Sequence, residues 1–278
     1  MRFSVIVATL AALLSAGTAQ AQAPVGVVTG SAWQHTPESA QALIAEADVA
    51  LPARATGGAV YYGKFKAIPP TQARVPVIVF LHGSGGLGLK AIGEWQRWLA
   101  GEGYASIAPN SMILPDRITY TSPIGRDAYE KIHALRASEI PLTLAALRTQ
   151  NWADPRQLIL AGASEGGPAV ARYAGDAFAG RVIMSWSCED NYFVTAHRTA
   201  VRDGDKILNI MSSVDPFFSR TNSWLDSPTA VGHCAPALRD DKAAMIVLIP
   251  GAPHTLLNLP QARLALLGWL RDVVVTKE

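Results

Sequence analysis

Short, largely apolar runs alternate along the chain with longer stretches in which apolar residues recur every third or fourth position. The runs at 75–81, 104–108, 157–161, 181–186, 206–211 and 244–249 predict strands, most of them buried on both faces. Between and after them, 89–100, 127–149, 166–174 and 259–275 carry helical periodicity, the second broken at Pro141. Trp95, Trp98 and Leu99 fall on the apolar side of the first of these helices. Ahead of the alternation, Thr36-Pro37 opens a helical stretch that runs to Val49, and 59–68 reads as a strand ended by Pro69-Pro70. Strands alternating with helices in this way imply an α/β fold, with a mostly parallel central sheet and helices on both faces. No linker-like run and no internal repeat divides 24–278, which therefore reads as a single domain. Two connections, 110–126 and 216–240, are long enough to serve as substrate-binding loops or lids.

The first 23 residues follow a different pattern. Arg2, the apolar run 5–14 and the small-x-small sites Ala19-Gln20-Ala21 and Ala21-Gln22-Ala23 describe a secretory signal peptide, cleaved after Ala21 or Ala23. The run is too short for a membrane span, which needs about 20 apolar residues. Export to the periplasm or the medium is expected, with no stable membrane anchor. The two cysteines, Cys188 and Cys234, would then meet an oxidising compartment, where one disulfide is expected, the alternative being two separate buried thiols. A formal charge of +2 without a block of like charges gives no reason to expect nucleic acid or an anionic surface as partner. Nothing in the pattern bears on oligomeric state.

The sharpest chemistry lies at 158–167, where the predicted strand LILA runs through Gly162-Ala163-Ser164-Glu165-Gly166 into a predicted helix. A tight strand-to-helix turn lifts the serine above the sheet edge, and only very small neighbours two positions away avoid collision. Ser164 is therefore the candidate nucleophile. In this fold its partners follow in the order acid, then histidine. His254 lies just past the last predicted strand, at the sheet edge where sites of parallel sheets gather, whereas His197 falls in a predicted helix and His233 in the long loop beside Cys234. Asp215, in the Val-Asp-Pro turn after 206–211, is the candidate acid, with Glu189 or Asp190 one strand earlier as the alternative. The Gly-rich turn after 75–81, His82-Gly83-Ser84-Gly85-Gly86, is suited to offer backbone N–H groups to an oxyanion. The expected donors are the N–H of Ser84 and of Glu165, with Gly85 as second choice. The Glu165 carboxylate suits the first turn of a helix through the dipole, contact with substrate or an arginine being the alternative. Arg136 and Glu139 are spaced to pair on one helical face in a structural role.

The same turn also spells G-x-G-x-x-G from Gly83 to Gly88, the mark of a dinucleotide-binding oxidoreductase. Such a site expects an acid at the end of the next strand, which here reads Ile107-Ala108-Pro109-Asn110. The chain contains no P-loop, no H-E-x-x-H and no Cys/His zinc cluster. A binding protein without activity is a further alternative, against which the intact order of the three candidate residues argues.

The stretches HGSGG, GASEGG, VDP and PGAPH resemble the dienelactone-hydrolase-like branch of the α/β-hydrolases, over about 59–275. Dienelactone hydrolases proper carry a cysteine nucleophile where this chain has Ser164. The resemblance implies a triad of Ser164, Asp215 and His254, no cofactor, and a small-molecule ester substrate cleaved through an acyl-enzyme. A serine peptidase or amidase of the same fold is the nearer alternative. Trp186, Tyr192, Phe193, Phe217, Phe218 and Trp224 are candidates either for an apolar pocket or for the core.

Overall fold

The computed structural model describes residues 25–225 and 227–274, so the expected signal peptide and both its cleavage sites lie outside the described residues. In chain order the elements are β1 (Val28–Thr29), α1 (Pro37–Ala45), β2 (Asp48–Leu51), α2 (Ala53–Thr56), β3 (Tyr61–Lys64), β4 (Val75–Leu81), α3 (Lys90–Gly101), β5 (Ala105–Ala108), β6 (Thr119–Tyr120), α4 (Arg126–Leu147), β7 (Ala153–Ala163), α5 (Gly167–Arg172), β8 (Gly180–Met184), β9 (Ile207–Ser212), β10 (Ala244–Ile249) and α6 (Pro260–Val273). Eight of the strands form one sheet in the order β10-β9-β8-β7-β4-β5-β2-β3. Every pairing from β10 to β5 is parallel, while β2 runs antiparallel to both β5 and β3.

The layering follows from the two-residue period of the central strand. In β4, Val77, Val79 and Leu81 enter one core and Ile78 and Phe80 the other. The first core is closed by α4 and α5 through Tyr129, Ile132, Ile140 and Val170. The second is closed by α3 and α6 through Ile92, Trp95, Leu99, Leu266 and Trp269. β4 and β7 lie side by side at the centre with Leu81 opposite Gly162, so both site-bearing turns leave the sheet at the same edge.

Several expected boundaries differ. The helix opened by Thr36 ends at Ala45, and Asp48–Leu51 is a strand instead. All four of its residues are buried between β3 and β5, a position in which a strand hides both faces and a helix would hide only one stripe. Asp48 is tolerated there because Lys64 Nζ lies 2.6 Å from its carboxylate. The expected strand at 59–68 is limited to β3, and a 3-10 turn follows at Phe65–Ala67. Pro141 does not break α4. Buried Glu139, Ile140, Thr143 and Leu144 hold the helix on both sides of it, and Thr143 Oγ donates to the Glu139 carbonyl at 2.8 Å. That tertiary packing offsets the roughly 3 kcal/mol that an interior proline costs a helix. His197 lies in irregular chain between β8 and β9, not in a helix.

Candidate active site

The turn after β7 explains its own composition. Ser164 sits at φ +53°, in the left-handed region, which costs a non-glycine residue roughly 1–2 kcal/mol. A Cβ on Gly162 would lie 2.6 Å from the Gly166 carbonyl oxygen, and one on Gly166 would lie 2.2 Å from that of Leu81. Neither position admits a side chain, so the spacing Gly-x-Ser-x-Gly is a steric requirement of this backbone. The His82-Gly83 turn packs directly on the serine, with the Ser164 Cβ 3.3 Å from the position of a Cβ on Gly83.

His254 stands in the turn after β10, and hydroxyls from the neighbouring strand ends fix that turn. Ser185 Oγ donates to the His254 carbonyl at 2.5 Å, and Ser212 Oγ donates to the Ala252 carbonyl at 2.5 Å. The His254 Nδ1 is 2.7 Å from Asp215 Oδ2. The other carboxylate oxygen, Oδ1, accepts the N–H groups of Phe217 at 2.9 Å and Phe218 at 3.0 Å. A carboxylate only accepts, so this pair makes Nδ1 the protonated nitrogen and leaves Nε2 as an acceptor. Asp215 is fully buried, and the Phe217 ring meets the imidazole edge-on at 4.7 Å between centroids. Glu189 and Asp190 are engaged elsewhere: Glu189 accepts the N–H groups of Val231 and Gly232, and Asp190 accepts that of His197.

Ser164 and His254 line one cavity of about 200 Å³ together with Gly83, Ser84 and Gly85. Its apolar wall is Phe80, Leu89, Ile92, Met184, Leu256 and Leu257, and among the described residues no Asp, Glu, Lys or Arg lines it. Among the described residues, none of its lining comes from 110–126 or 216–240, the long connections expected to shape the pocket. The start of α3 and the residues after His254 take that part. The candidate aromatics belong to the core instead: Trp186, Tyr192, Phe193 and Phe218 are buried, and Phe217 and Trp224 pack against them. Cys188 and Cys234 form a disulfide that ties the segment after β8 to the long loop after β9. Among the described residues, no group of three His, Cys, Asp or Glu side chains is arranged to hold a metal ion.

Glu165 is not a solvent-facing first-turn acid. Its side chain is fully buried, with Oε1 2.6 Å from Arg117 Nη2 and 3.6 Å from Arg136 Nε. Arg136 also pairs with Glu139 at 2.7 Å, so the helical pair expected from spacing is present, inside the protein. His82 is buried beside these charges. Burial, reinforced by Arg136, holds its pKa well below the ordinary histidine value, and the ring is neutral. The Ser111 N–H donates to its Nε2 at 3.2 Å, which puts its proton on Nδ1, 2.7 Å from the Gly83 carbonyl. Tyr120 also lies at this cluster, and burial with the Glu165 charge raises its pKa well above the usual phenol range. Arg117 and His82 were not among the candidates. Their roles depend on contacts between residues far apart in sequence.

A mostly parallel sheet carrying a serine turn, a histidine turn and helices on both faces defines an α/β-hydrolase. The chain belongs to the dienelactone hydrolase family, whose profile matches residues 64–255, and it is a hydrolase. A dienelactone hydrolase-like promiscuous phosphotriesterase from metagenomic libraries superimposes with a TM-score of 0.52 at 16% identity, over 82% of this chain and 98% of that one. A candidate dienelactone hydrolase of Klebsiella pneumoniae subsp. pneumoniae gives 0.52 at 16% identity, over 81% and 99%. A cold-adapted esterase from an Arctic intertidal metagenomic library gives 0.50 at 14% identity, over 77% and 87%. At these identities the likeness is one of fold. Among curated proteins, none matches the sequence.

Proposed function

We propose that the chain is an exported serine esterase that cleaves small, uncharged carboxylic esters through an acyl-enzyme on Ser164. The observation that carries this reading is the His254–Asp215 pair, 2.7 Å apart, at the cavity into which the strained Ser164 opens. Ser164 Oγ attacks the ester carbonyl while His254 Nε2 takes its proton. The resulting oxyanion is held by the N–H groups of Ser84 and Glu165. As the tetrahedral intermediate collapses, His254 returns the proton to the departing alcohol. Water then attacks the acyl group, again through His254, and releases the acid and Ser164. Asp215 keeps the proton on Nδ1 throughout and stabilises the imidazolium that forms in each half-reaction.

Two features of the cavity support the substrate class. Among the described residues, its walls offer no cation to a substrate carboxylate. At roughly 30 Å³ per water-sized group its volume accommodates about six or seven such groups, the size of a short acyl chain. Export rests on the N-terminal pattern Arg2, apolar 5–14 and Ala19-Gln20-Ala21.

A fluorophosphonate probe on the mature protein, mapped by mass spectrometry, tests the reading directly. The expected adduct is on Ser164 and is lost in Ser164→Ala. Activity on p-nitrophenyl esters should fall as the acyl chain outgrows the cavity, and a half-ester with a free carboxylate on its acyl chain should react at least about tenfold more slowly than its uncharged analogue. A folded protein that takes no label would overturn the assignment. N-terminal sequencing of the exported form should begin at Gln22 or Pro24.

A further inference from the structure

Four charged side chains are buried together behind the elbow, and none of them enters the steps above. Arg117, Arg136, Glu139 and Glu165 are at most 5% exposed, and their two positive and two negative charges balance. Two bridges run through them between the segments that carry Ser84 and Glu165. In the first, Arg136 Nη2 donates to the His82 carbonyl at 3.0 Å while its Nε lies 3.6 Å from Glu165 Oε1. In the second, Glu165 Oε1 accepts from Arg117 Nη2 at 2.6 Å, Arg117 Nε donates to Ser111 Oγ at 2.9 Å, and the Ser111 N–H donates to His82 Nε2 at 3.2 Å. Arg136 is itself held on α4 by Glu139, and Glu139 Oε1 lies 3.4 Å from His35 Nε2.

Stability alone is a poor reason for this arrangement. A buried ion pair seldom outdoes well-packed apolar side chains of the same volume, because desolvation cancels much of the attraction. What guanidinium groups add is a planar, fixed set of donors that act as rigid spacers. Here they span the two turns whose N–H groups must meet one oxygen, and such donors function only within about 0.5 Å of their intended positions.

We propose that Arg136 and Glu165, assisted by Arg117, are positioning residues that fix the separation of the two oxyanion donors. The proposal rests on the assignment of those donors to Ser84 and Glu165 made above. It differs in sign from a purely electrostatic role. Glu165→Gln keeps the backbone N–H and removes a negative charge from behind the oxyanion. If charge alone mattered, kcat would rise. If position matters, kcat falls although the charge change favours the oxyanion.

The test compares E165Q, R136K and S111A in the mature enzyme, with p-nitrophenyl acetate as substrate and a trifluoromethyl ketone as tetrahedral-adduct inhibitor. E165Q and R136K are expected to lower kcat roughly 10–100-fold, somewhat less than deletion of a donor. KM should change by less than about threefold, and the inhibitor constant should rise in step with the loss in kcat. S111A, which opens only the second bridge, should give a smaller loss of the same kind. A folded E165Q with kcat unchanged or raised, or with its whole effect in KM, overturns the proposal. If E165Q does not fold, R136K and S111A are judged by the same criteria. Failure of the wild-type enzyme to label at Ser164 or to turn over the ester would instead count against the proposed function, so the two failures are distinguishable.

Discussion

The two oxygens of Asp215 face different groups, and turning the carboxylate would break all of its contacts together. Oδ2 meets His254 Nδ1 at 2.7 Å, while Oδ1 takes the N–H groups of Phe217 and Phe218. Asp215→Asn leaves Oδ1 on those two N–H groups and turns an amide donor toward Nδ1. The imidazole proton is then driven to Nε2, which presents a donor to Ser164 where an acceptor is needed. A fall in kcat of about 10⁴-fold is expected, by analogy with the equivalent change in other Ser-His-Asp enzymes. Glu189→Gln should lower the melting temperature through its contacts to Val231 and Gly232 and leave kcat within about twofold, as for residues outside a catalytic unit. An active D215N beside an inactive E189Q would reassign the acid. At this scale the tight turn that carries Ser164 was legible because its flanking glycines answer a purely local steric demand. The placement of His254 at the same cavity was legible from its position after the last strand. The setting of Glu165 was not, since its partner Arg117 is 48 positions away and nothing in the spacing links the two. Arg136 and Glu139 were recognisable as a pair, but not as a buried one.

Among the elements, the long loop 216–240 acts differently from what its length suggested. Its described residues add nothing to the cavity wall, and the loop is instead fastened to the sheet edge. Cys234 bonds Cys188, and the Cys234 N–H donates to Asn209 Oδ1 at 3.0 Å. Asn209 Nδ2 in turn donates to the carbonyls of Ile183 and Trp186, each at 3.1 Å. With the cysteines at a sequence separation of 46, the disulfide removes unfolded-chain entropy worth up to about 4 kcal/mol. The double variant Cys188→Ser, Cys234→Ser should therefore unfold at clearly lower urea while keeping most of its activity, because Asp215 is held by its own turn. Equal urea midpoints for the native enzyme with and without reductant would contradict this. The pairing was foreseeable from two cysteines in a chain with an export pattern. That the expected helix gives way to a strand at 48–51 was not, because it depends on β3 and β5 arriving on either side. The continuity of α4 through Pro141 likewise depends on buried neighbours that helix propensity does not register.

For the molecule as a whole, the alternation of apolar runs and amphipathic stretches was enough to give the parallel sheet and its two helical layers, since most of the runs are buried on both faces in the way a parallel sheet requires, the edge strand β10 with its exposed Met245 and Leu248 being the exception. What alternation does not convey is how many polar groups the two cores enclose, and this sets the response to acid. His82, His133 and His197 are all held below the ordinary histidine value, chiefly by burial. Arg136 adds to the effect at His82 and Arg172 at His197, which is pushed down to about 4. At His133, burial outweighs Glu130, whose Oε2 lies 3.8 Å from Nδ1. In the unfolded chain all three titrate near 6.5. Below that pH the unfolded state binds more protons than the folded one, so this part of the stability is complete above pH 6.5 and is lost as pH falls toward the folded values. Each fully shifted histidine gives a slope of about 1.4 kcal/mol per pH unit. The carboxylate Glu130 is depressed as well, although burial opposes this, because His133, Arg172 and the Thr195 N–H all favour its charged form. Its contribution is present above its unfolded value of 4.5 and fades only below it. The interval between pH 6.5 and 4.5 therefore belongs to the histidines. The melting temperature should decline across that interval, and His133→Gln and His197→Gln should each flatten the decline without touching Ser164, Asp215 or His254. A melting temperature that stays level down to pH 4.5 would mean that protons reach these rings without unfolding the two cores around them.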